Sequence, residues 1–230
     1  TIIEQIANDI GKDPLDVRML NIYQDPAVSG NPATMVTQYG QTIADWVGDK
    51  VITQVASEAK YRERRDSVNA FNKVNKRRKR GLALVPLKFG ISFTATMLNQ
   101  GGALLNIYMD GSVSVNHGGT EMGQGLNTKM AQVCADGLGI DLSYVRVTGT
   151  DTQKVPNASA TSASSGADIN GAAIMNATAQ MRARLAPVAA NMLGCKDTEV
   201  NFANSMAHGG GKSVEWTAVA KQAWMDRVGL

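Results

Sequence analysis

Along the first 80 residues, apolar positions recur at intervals of three and four. Ile2, Ile3, Ile6 and Ile10 share one helical face, and Leu15, Val17, Met19 and Leu20 follow the Asp13-Pro14 pair, which reads as a helix start. A loop is expected from Pro26 to Tyr39, then a third helix from about Gln41 toward Lys60 with Ile43, Trp46, Val47, Val51 and Val55 on one flank. A basic stretch ending at Arg80-Gly81 closes this part. From Leu82 the period becomes alternating. Phe89, Ile91, Phe93, Ala95 and Met97 would fall on one face of a strand, with Ser92, Thr94 and Thr96 on the other. Asn99-Gln100-Gly101-Gly102 reads as a turn, and Leu105, Ile107 and Met109 lead into Asp110-Gly111, a pair that tolerates positive φ in a two-residue hairpin, from which Val113 and Val115 return. At least three antiparallel strands in a meander are expected.

Helical spacing resumes with Leu126, Met130, Val133 and Cys134, predicting a helix to about Gly137; Tyr144 to Thr150 is a short strand, and a small-residue helix should run from about Ala167 to Ala190. The fold class is therefore α+β, an antiparallel or mixed sheet with flanking helices. The domain reading is a mainly helical segment over 1–80 and an α+β segment over 81–230. No internal repeat is evident.

Composition narrows the classes. With 230 residues, 43% hydrophobic and 19% charged, the chain can bury a core, and no apolar stretch approaches the roughly 20 residues of a membrane span. No secretory leader is legible at Thr1, and a start on Thr rather than Met leaves room for an upstream portion. Cys134 and Cys195 allow at most one disulfide and form no Cys-x-x-Cys pair, so no zinc or iron–sulfur site is expected from this chain alone, and a reducing, cytoplasmic setting is the default. The net charge of +3 hides a concentration: residues 60–80 hold ten Lys and Arg against Glu63 and Asp66. Such a run suits nucleic-acid phosphates, but it lacks a reading motif, and a solvated helix face accounts for it as well.

Two segments invite ligand chemistry. Gly118-Gly119-Thr120-Glu121-Met122-Gly123-Gln124-Gly125 puts four glycines at a strand-to-helix junction, where backbone N–H groups and the helix field favour an anion. Its spacing matches neither the dinucleotide fingerprint nor the phosphate loop. A plain tight turn explains it equally. The second segment, Asn157 to Asp168, is rich in Ser and Thr and enters the next helix, with Ser165 and Asp168 at capping-box spacing. Two such helix starts could grip one polyanion from two sides, or Ser and Thr could merely cap. Glu121 is the one carboxylate of the first segment and reads as an electrostatic cap before it reads as a general base. His117 and His208 lack neighbours at metal spacing, and Gly209-Gly210-Gly211-Lys212 lacks the rest of a phosphate loop.

Taken in order, Pro86-Leu87-Lys88-Phe89-Gly90-Ile91-Ser92-Phe93-Thr94, Leu98-Asn99-Gln100-Gly101-Gly102-Ala103-Leu104, Asp110-Gly111-Ser112-Val113, His117 through Met130, and Val155-Pro156-Asn157 through Gly171 closely resemble the molybdenum-binding portion of the xanthine dehydrogenases. The likeness is dense from about 62 to 190, and the Phe-Gly-Ile-Ser-Phe-Thr run favours that family over the aldehyde oxidases. What the resemblance implies is hydroxylation of a purine, hypoxanthine or xanthine to urate, at molybdenum held by molybdopterin. Electrons would leave through 2Fe-2S clusters to FAD and NAD on other domains or subunits, in a cytoplasmic oligomer with no membrane or nucleic-acid partner.

The resemblance also assigns residues. Met122, Gly123 and Gln124 would meet the cofactor, Gln124 at its oxo group or pterin. Thr161, Ala163, Ser164, Ser165, Gly166 and Ala167 would embrace molybdenum and pterin through backbone donors, with the Ala163 backbone near the metal. Phe93 would stack on the purine, Thr94 would offer a hydroxyl and Leu98 would line the access channel; a purely structural Phe93 is the alternative. The family's Gly-Val-Gly-Glu-Pro-Pro run with its catalytic glutamate, and its Arg-Gly-Phe-Gly segment, do not occur in this sequence, so no general base is assigned. The rival readings are an aldehyde oxidase-type hydroxylase and a noncatalytic nucleic-acid module built on residues 60–80.

Overall fold

The computed structural model describes every residue except Thr1, Pro26, Val28, Ser29, Pro32, Ala33, Thr34, Pro156 and Asn157. Parts of the predicted 26–39 loop and of the Val155-Pro156-Asn157 match therefore lie outside the described residues. The chain forms two units, Thr1–Phe89 and Gly90–Leu230.

In the first unit, four helices are described: α1 (Ile2–Asp9), α2 (Pro14–Met19), α3 (Gly48–Glu58) and α4 (Tyr61–Val74). Asp13 explains the start of α2, since its carboxylate accepts the Leu15 N–H at 2.8 Å, and it also ties down α4 through the Tyr61 hydroxyl (3.1 Å) and Arg65 Nε (2.9 Å). A small core of Leu15, Ile52 and Tyr61 results. The apolar stripes expected to pack do not: Ile2, Ile6, Ile10, Val47, Val51 and Val55 are all exposed, and Ala7 is the buried residue of α1. The third helix starts later than predicted because Thr42 is drawn into a bridge with Val36. The basic run is helical only in its first part. Helix α4 stops at Val74, and Asn72 clasps both the N–H and the C=O of Arg80, whose guanidinium lies 3.9 Å from the Phe71 ring centre. Continuing the helix would stack like charges at successive turns, which is unfavourable.

In the second unit, the hairpin of β1 (Ala103–Ile107) and β2 (Val113–His117) is antiparallel, with Leu105 opposite Val115. Helix α5 (Leu126–Leu138) then leads to β3 (Val145–Val147), which pairs parallel with β2. The expected antiparallel meander is thus a mixed sheet. Its supposed first strand is absent: residues 89–97 carry no ladder, Ser92 has φ +69, and Phe89, Ile91 and Met97 are exposed. The β1–β2 turn is also wider than predicted, because Tyr108 and Ser112 pair and Gly111, at φ +85, takes the left-handed position of a three-residue loop.

The long helix α6 (Gly166–Leu193) packs across this sheet and α5. An unforeseen second sheet follows, β4 (Asn201–Ala203), β5 (Met206–Gly209) and β6 (Lys212–Glu215), all antiparallel, then α7 (Trp216–Met225). Its turns are Asn204-Ser205 and Gly210-Gly211, each a pair of left-handed residues. The glycine run at 209–211 is a hairpin turn, with its first residue, Gly209, paired to Lys212. Among the described residues, no helix is long and apolar enough to cross a membrane.

Candidate functional site

Both ligand-suggestive segments lie in the second unit, and they meet. The Thr120 N–H donates to Thr161 Oγ1 at 2.8 Å, tying one loop to the other. Between them is a cleft of about 610 Å³ walled by Met122 and Gln124 from the first and by Thr161, Ala163, Ser164, Gly166 and Ala167 from the second. The volume is in the range of small-molecule sites. Gly123 and Ser165 do not line the cleft: Gly123 is an exposed turn residue at φ +98, and Ser165 is buried, its hydroxyl donating to the Ser162 carbonyl at 3.0 Å. The expected capping box is therefore not formed, since that hydroxyl turns back along the chain and caps no helical N–H.

The two helix starts differ in what they can offer. At α5, the amides of the turn itself are already paired within the loop. Glu121 Oε1 accepts the N–H groups of Gly123 (2.8 Å) and Gly125 (3.0 Å), and Oε2 accepts that of Asn127 (3.0 Å). Those backbone bonds hold the Glu121 carboxyl below the usual glutamate range, which makes it a cap and a poor proton acceptor. Gln124 spans its own loop, accepting from Met122 N and donating to Thr120 O at 2.6 and 2.9 Å. The α6 start has no side-chain cap, so its first-turn amides at Gly166 and Ala167, on the cleft wall, are the open anion donors. The expected two-sided amide grip is one-sided.

Two of the four glycines have a different role from the one expected, while Gly123 and Gly125 have open space beside them. A Cβ on Gly118 would lie 2.2 Å from the Ala158 Cβ, and one on Gly119 would lie 2.5 Å from Leu126 Cδ2. These two glycines allow the chain to pack on itself, not on a ligand. Ala163 and Ser164 carry the strain instead, both with φ +53. Consecutive non-glycine residues in the left-handed region are costly and are retained where surrounding contacts force them. One such contact is visible: Ser92 N–H donates to the Ala163 carbonyl at 2.9 Å.

Phe93, Thr94 and Leu98 do not line the cleft. Their segment is irregular, so strand alternation does not govern where Phe93 and Thr94 point. It is fastened beside the second loop: Asn99 brackets Phe93 through its N–H (3.0 Å) and carbonyl (2.8 Å), and the Ser159 hydroxyl donates to the Leu98 carbonyl. Lys129 and Ser162, which line the cleft, were not singled out from the sequence. Lys129 follows Met122 and Leu126 at helical spacing, a signal that was available, and it adds a cation suited to a phosphate-bearing guest.

His117 is structural. It is 1% exposed, its Nδ1 accepts the Gly119 N–H (3.1 Å), and its Nε2–H donates to Asn127 Oδ1 (3.1 Å), the tautomer these partners require. Burial lowers its pKa, with the Asn127 bond only partly opposing. Below about pH 6.5 the unfolded chain takes a proton that the folded one resists, so stability should fall on acidification, by up to about 1.4 kcal/mol per pH unit. Thermal melts from pH 7.5 to 5.5 check this; His117→Gln should flatten the dependence, and an unchanged slope would refute it. His208, bonded to the Ala203 carbonyl at 3.3 Å, is likewise structural. Cys134 is buried, its pKa pushed up to about 12, and is not a reactive thiol.

The cleft fits an anionic, oxygen-rich group: two open helix amides, hydroxyls at Thr161, Ser162 and Ser164, and one lysine. The family model described as "Molybdopterin cofactor-binding domain" matches residues 54–230. Curated relatives are xanthine dehydrogenases, among them that of Emericella nidulans, 46% identical over 187 residues (81% of this chain, 13% of the relative), and that of Calliphora vicina, 38% identical over 229 residues (100% and 15%). The chain thus spans a small fraction of the relatives it matches. In fold it is similar to quinoline 2-oxidoreductase from Pseudomonas putida 86 (TM-score 0.75, 21% identity, 98% of this chain and 29% of that one) and to CO dehydrogenase from Oligotropha carboxidovorans (TM-score 0.68, 20% identity, 96% and 28%). With more than half its length matched by that family model, and the cleft chemistry in accord, the chain belongs to the molybdopterin cofactor-binding domain family.

Proposed function

We propose that this chain supplies one wall of the molybdenum centre of a xanthine dehydrogenase-type hydroxylase. The observation that carries the reading is the cleft shared by the 120–129 and 161–167 loops. When bound, molybdopterin would supply the two-electron oxidation and the oxygen transfer to a purine ring carbon. The chain's part is binding and orientation. Gly166 and Ala167 would donate amide hydrogens to the cofactor's anionic oxygens, Lys129 would balance charge, and Thr161, Ser164 and the Ala163 backbone would close around the metal end. Met122 and the turn at Gly123 would border the pterin. Gln124 would reach the cofactor by exchanging its internal bonds for external ones of equal kind. Ser165, buried and not lining the cleft, would hold the loop rather than touch the cofactor.

Phe93, with Thr94 and Leu98 nearby, is proposed for the purine side, since the Ser92–Ala163 bond couples that segment to the metal loop. Phe93→Ala should then raise KM for xanthine at least tenfold in the assembled enzyme with the molybdenum content unchanged; undisturbed turnover would show that the ring only packs. FAD, 2Fe-2S clusters, the general base and the rest of the purine pocket would come from other domains or subunits of a cytoplasmic oligomer. The test is metal analysis with a xanthine assay on the isolated 230 residues and on the assembly containing them. The assembly should hold molybdenum and turn over xanthine, and the isolated chain should do neither. Stoichiometric metal with turnover in the isolated chain would overturn this division of labour.

A further inference from the structure

Resting on the cofactor reading of the cleft, we propose that Glu121 is a positioning residue, whose carboxylate holds the 123–127 turn so that Gln124 is free to leave its own loop and meet the cofactor. Two side chains clasp this turn from opposite directions. Glu121 reaches forward to the N–H groups of Gly123, Gly125 and Asn127, and Gln124 reaches back to Met122 N and Thr120 O. The turn has little intrinsic order, because Gly123 (φ +98) and Gly125 (φ +74) both lie in the left-handed region and glycine loses the most entropy on being fixed. It also has a third tie, Thr120 N to Thr161 Oγ1, which fixes only its beginning.

The two clasps are not equivalent. The side chain of Gln124 lines the cleft, and contact with a bound group would cost it the Met122 and Thr120 bonds. Glu121 does not line the cleft, and its three bonds point into the turn and the first turn of α5, so nothing in the cleft competes for them. The turn therefore keeps its shape when Gln124 departs only if Glu121 stays ionised and bonded. Glutamine at 121 would offer one acceptor oxygen where two are used and would aim an N–H₂ at a donor; alanine would release all three amides.

The experiment is a comparison of Glu121→Ala, Glu121→Gln, Gln124→Ala and the parent protein in the native assembly, read by amide hydrogen exchange, molybdenum content and melting temperature. In Glu121→Ala, exchange at Gly123, Gly125 and Asn127 should accelerate at least tenfold and molybdenum should fall at least tenfold, with global melting shifted by only a few degrees. Glu121→Gln should lie between it and the parent, and Gln124→Ala should lose molybdenum while those three amides keep their protection. Unchanged exchange in Glu121→Ala, or faster exchange with full molybdenum, overturns the positioning role. A parent protein without molybdenum overturns the cofactor reading instead, and the exchange data still decide whether Glu121 holds the turn.

Discussion

Trp216→Ala should destabilise the unit spanning Gly90–Leu230 by about 3–5 kcal/mol, the largest stability effect expected of any single side chain here. Trp216 is 1% exposed at the start of α7, and its removal costs both a packing volume and a buried hydrogen bond. The indole fills the core beside Phe202, edge-on with ring centres 6.2 Å apart, so a large cavity opens. Its Nε1–H donates to the Gly111 carbonyl at 2.7 Å, so a buried acceptor in the β1–β2 turn is orphaned. And that bond joins the hairpin to the last helix, across 105 residues of sequence. Trp216→Phe separates the contributions: it keeps most of the apolar volume but not the donor, and should cost about 1–3 kcal/mol. Denaturant titration of the two variants decides the matter: a Trp216→Phe protein as stable as the parent would mean that the Gly111 bond contributes nothing, and equal losses in both variants would mean that the filled volume contributes nothing.

Ala163→Val should abolish cofactor retention, by at least tenfold in bound molybdenum, without unfolding the protein. At φ +53 a β-branched side chain is disfavoured far more strongly than alanine, and straightening the residue would pull its carbonyl from the Ser92 N–H and move the cleft wall. Ala163→Gly, which accepts this φ without strain, should bind as the parent does. The readouts are metal content and melting temperature together. Full molybdenum in Ala163→Val would remove the 161–167 loop from the cofactor site.

Much of the second unit is legible in the sequence where period and punctuation agree. Leu126, Met130 and Cys134 mark α5, and Gly139 ends it at φ +74, packed so tightly that a Cβ would meet the Phe202 carbonyl at 2.2 Å. Alternation over 89–97 misleads because a strand needs a partner: here Asn99 and Ala163 take up backbone groups of Ser92 and Phe93 that a ladder would have used. The second sheet escapes notice for the opposite reason. Its strands of three and four residues are too short to display a period, and the readable signals are the turn pairs Asn204-Ser205 and Gly210-Gly211.

In the first unit, amphipathic spacing identifies helices correctly at Ile2–Asp9 and Gly48–Glu58, yet it does not tell which stripe is covered, as exposed Ile6 and Val51 demonstrate. At the site, spacing along the chain identifies both loops, but not the partners of their amides. Glu121 at a helix start reads as a cap, and it is one; what the sequence does not tell is that its two oxygens take three amides an anion would seek, which shifts the anion-binding role to Gly166 and Ala167.

Anomalous diffraction collected across the molybdenum absorption edge, on crystals of the assembled enzyme, bears most directly on whether the two loops form a cofactor wall. A single metal peak should appear in the cleft, bordered by Gln124 on one side and by the Ala163 backbone on the other. A molybdenum peak remote from both loops, or a cleft filled by other side chains of the assembly, would contradict the account.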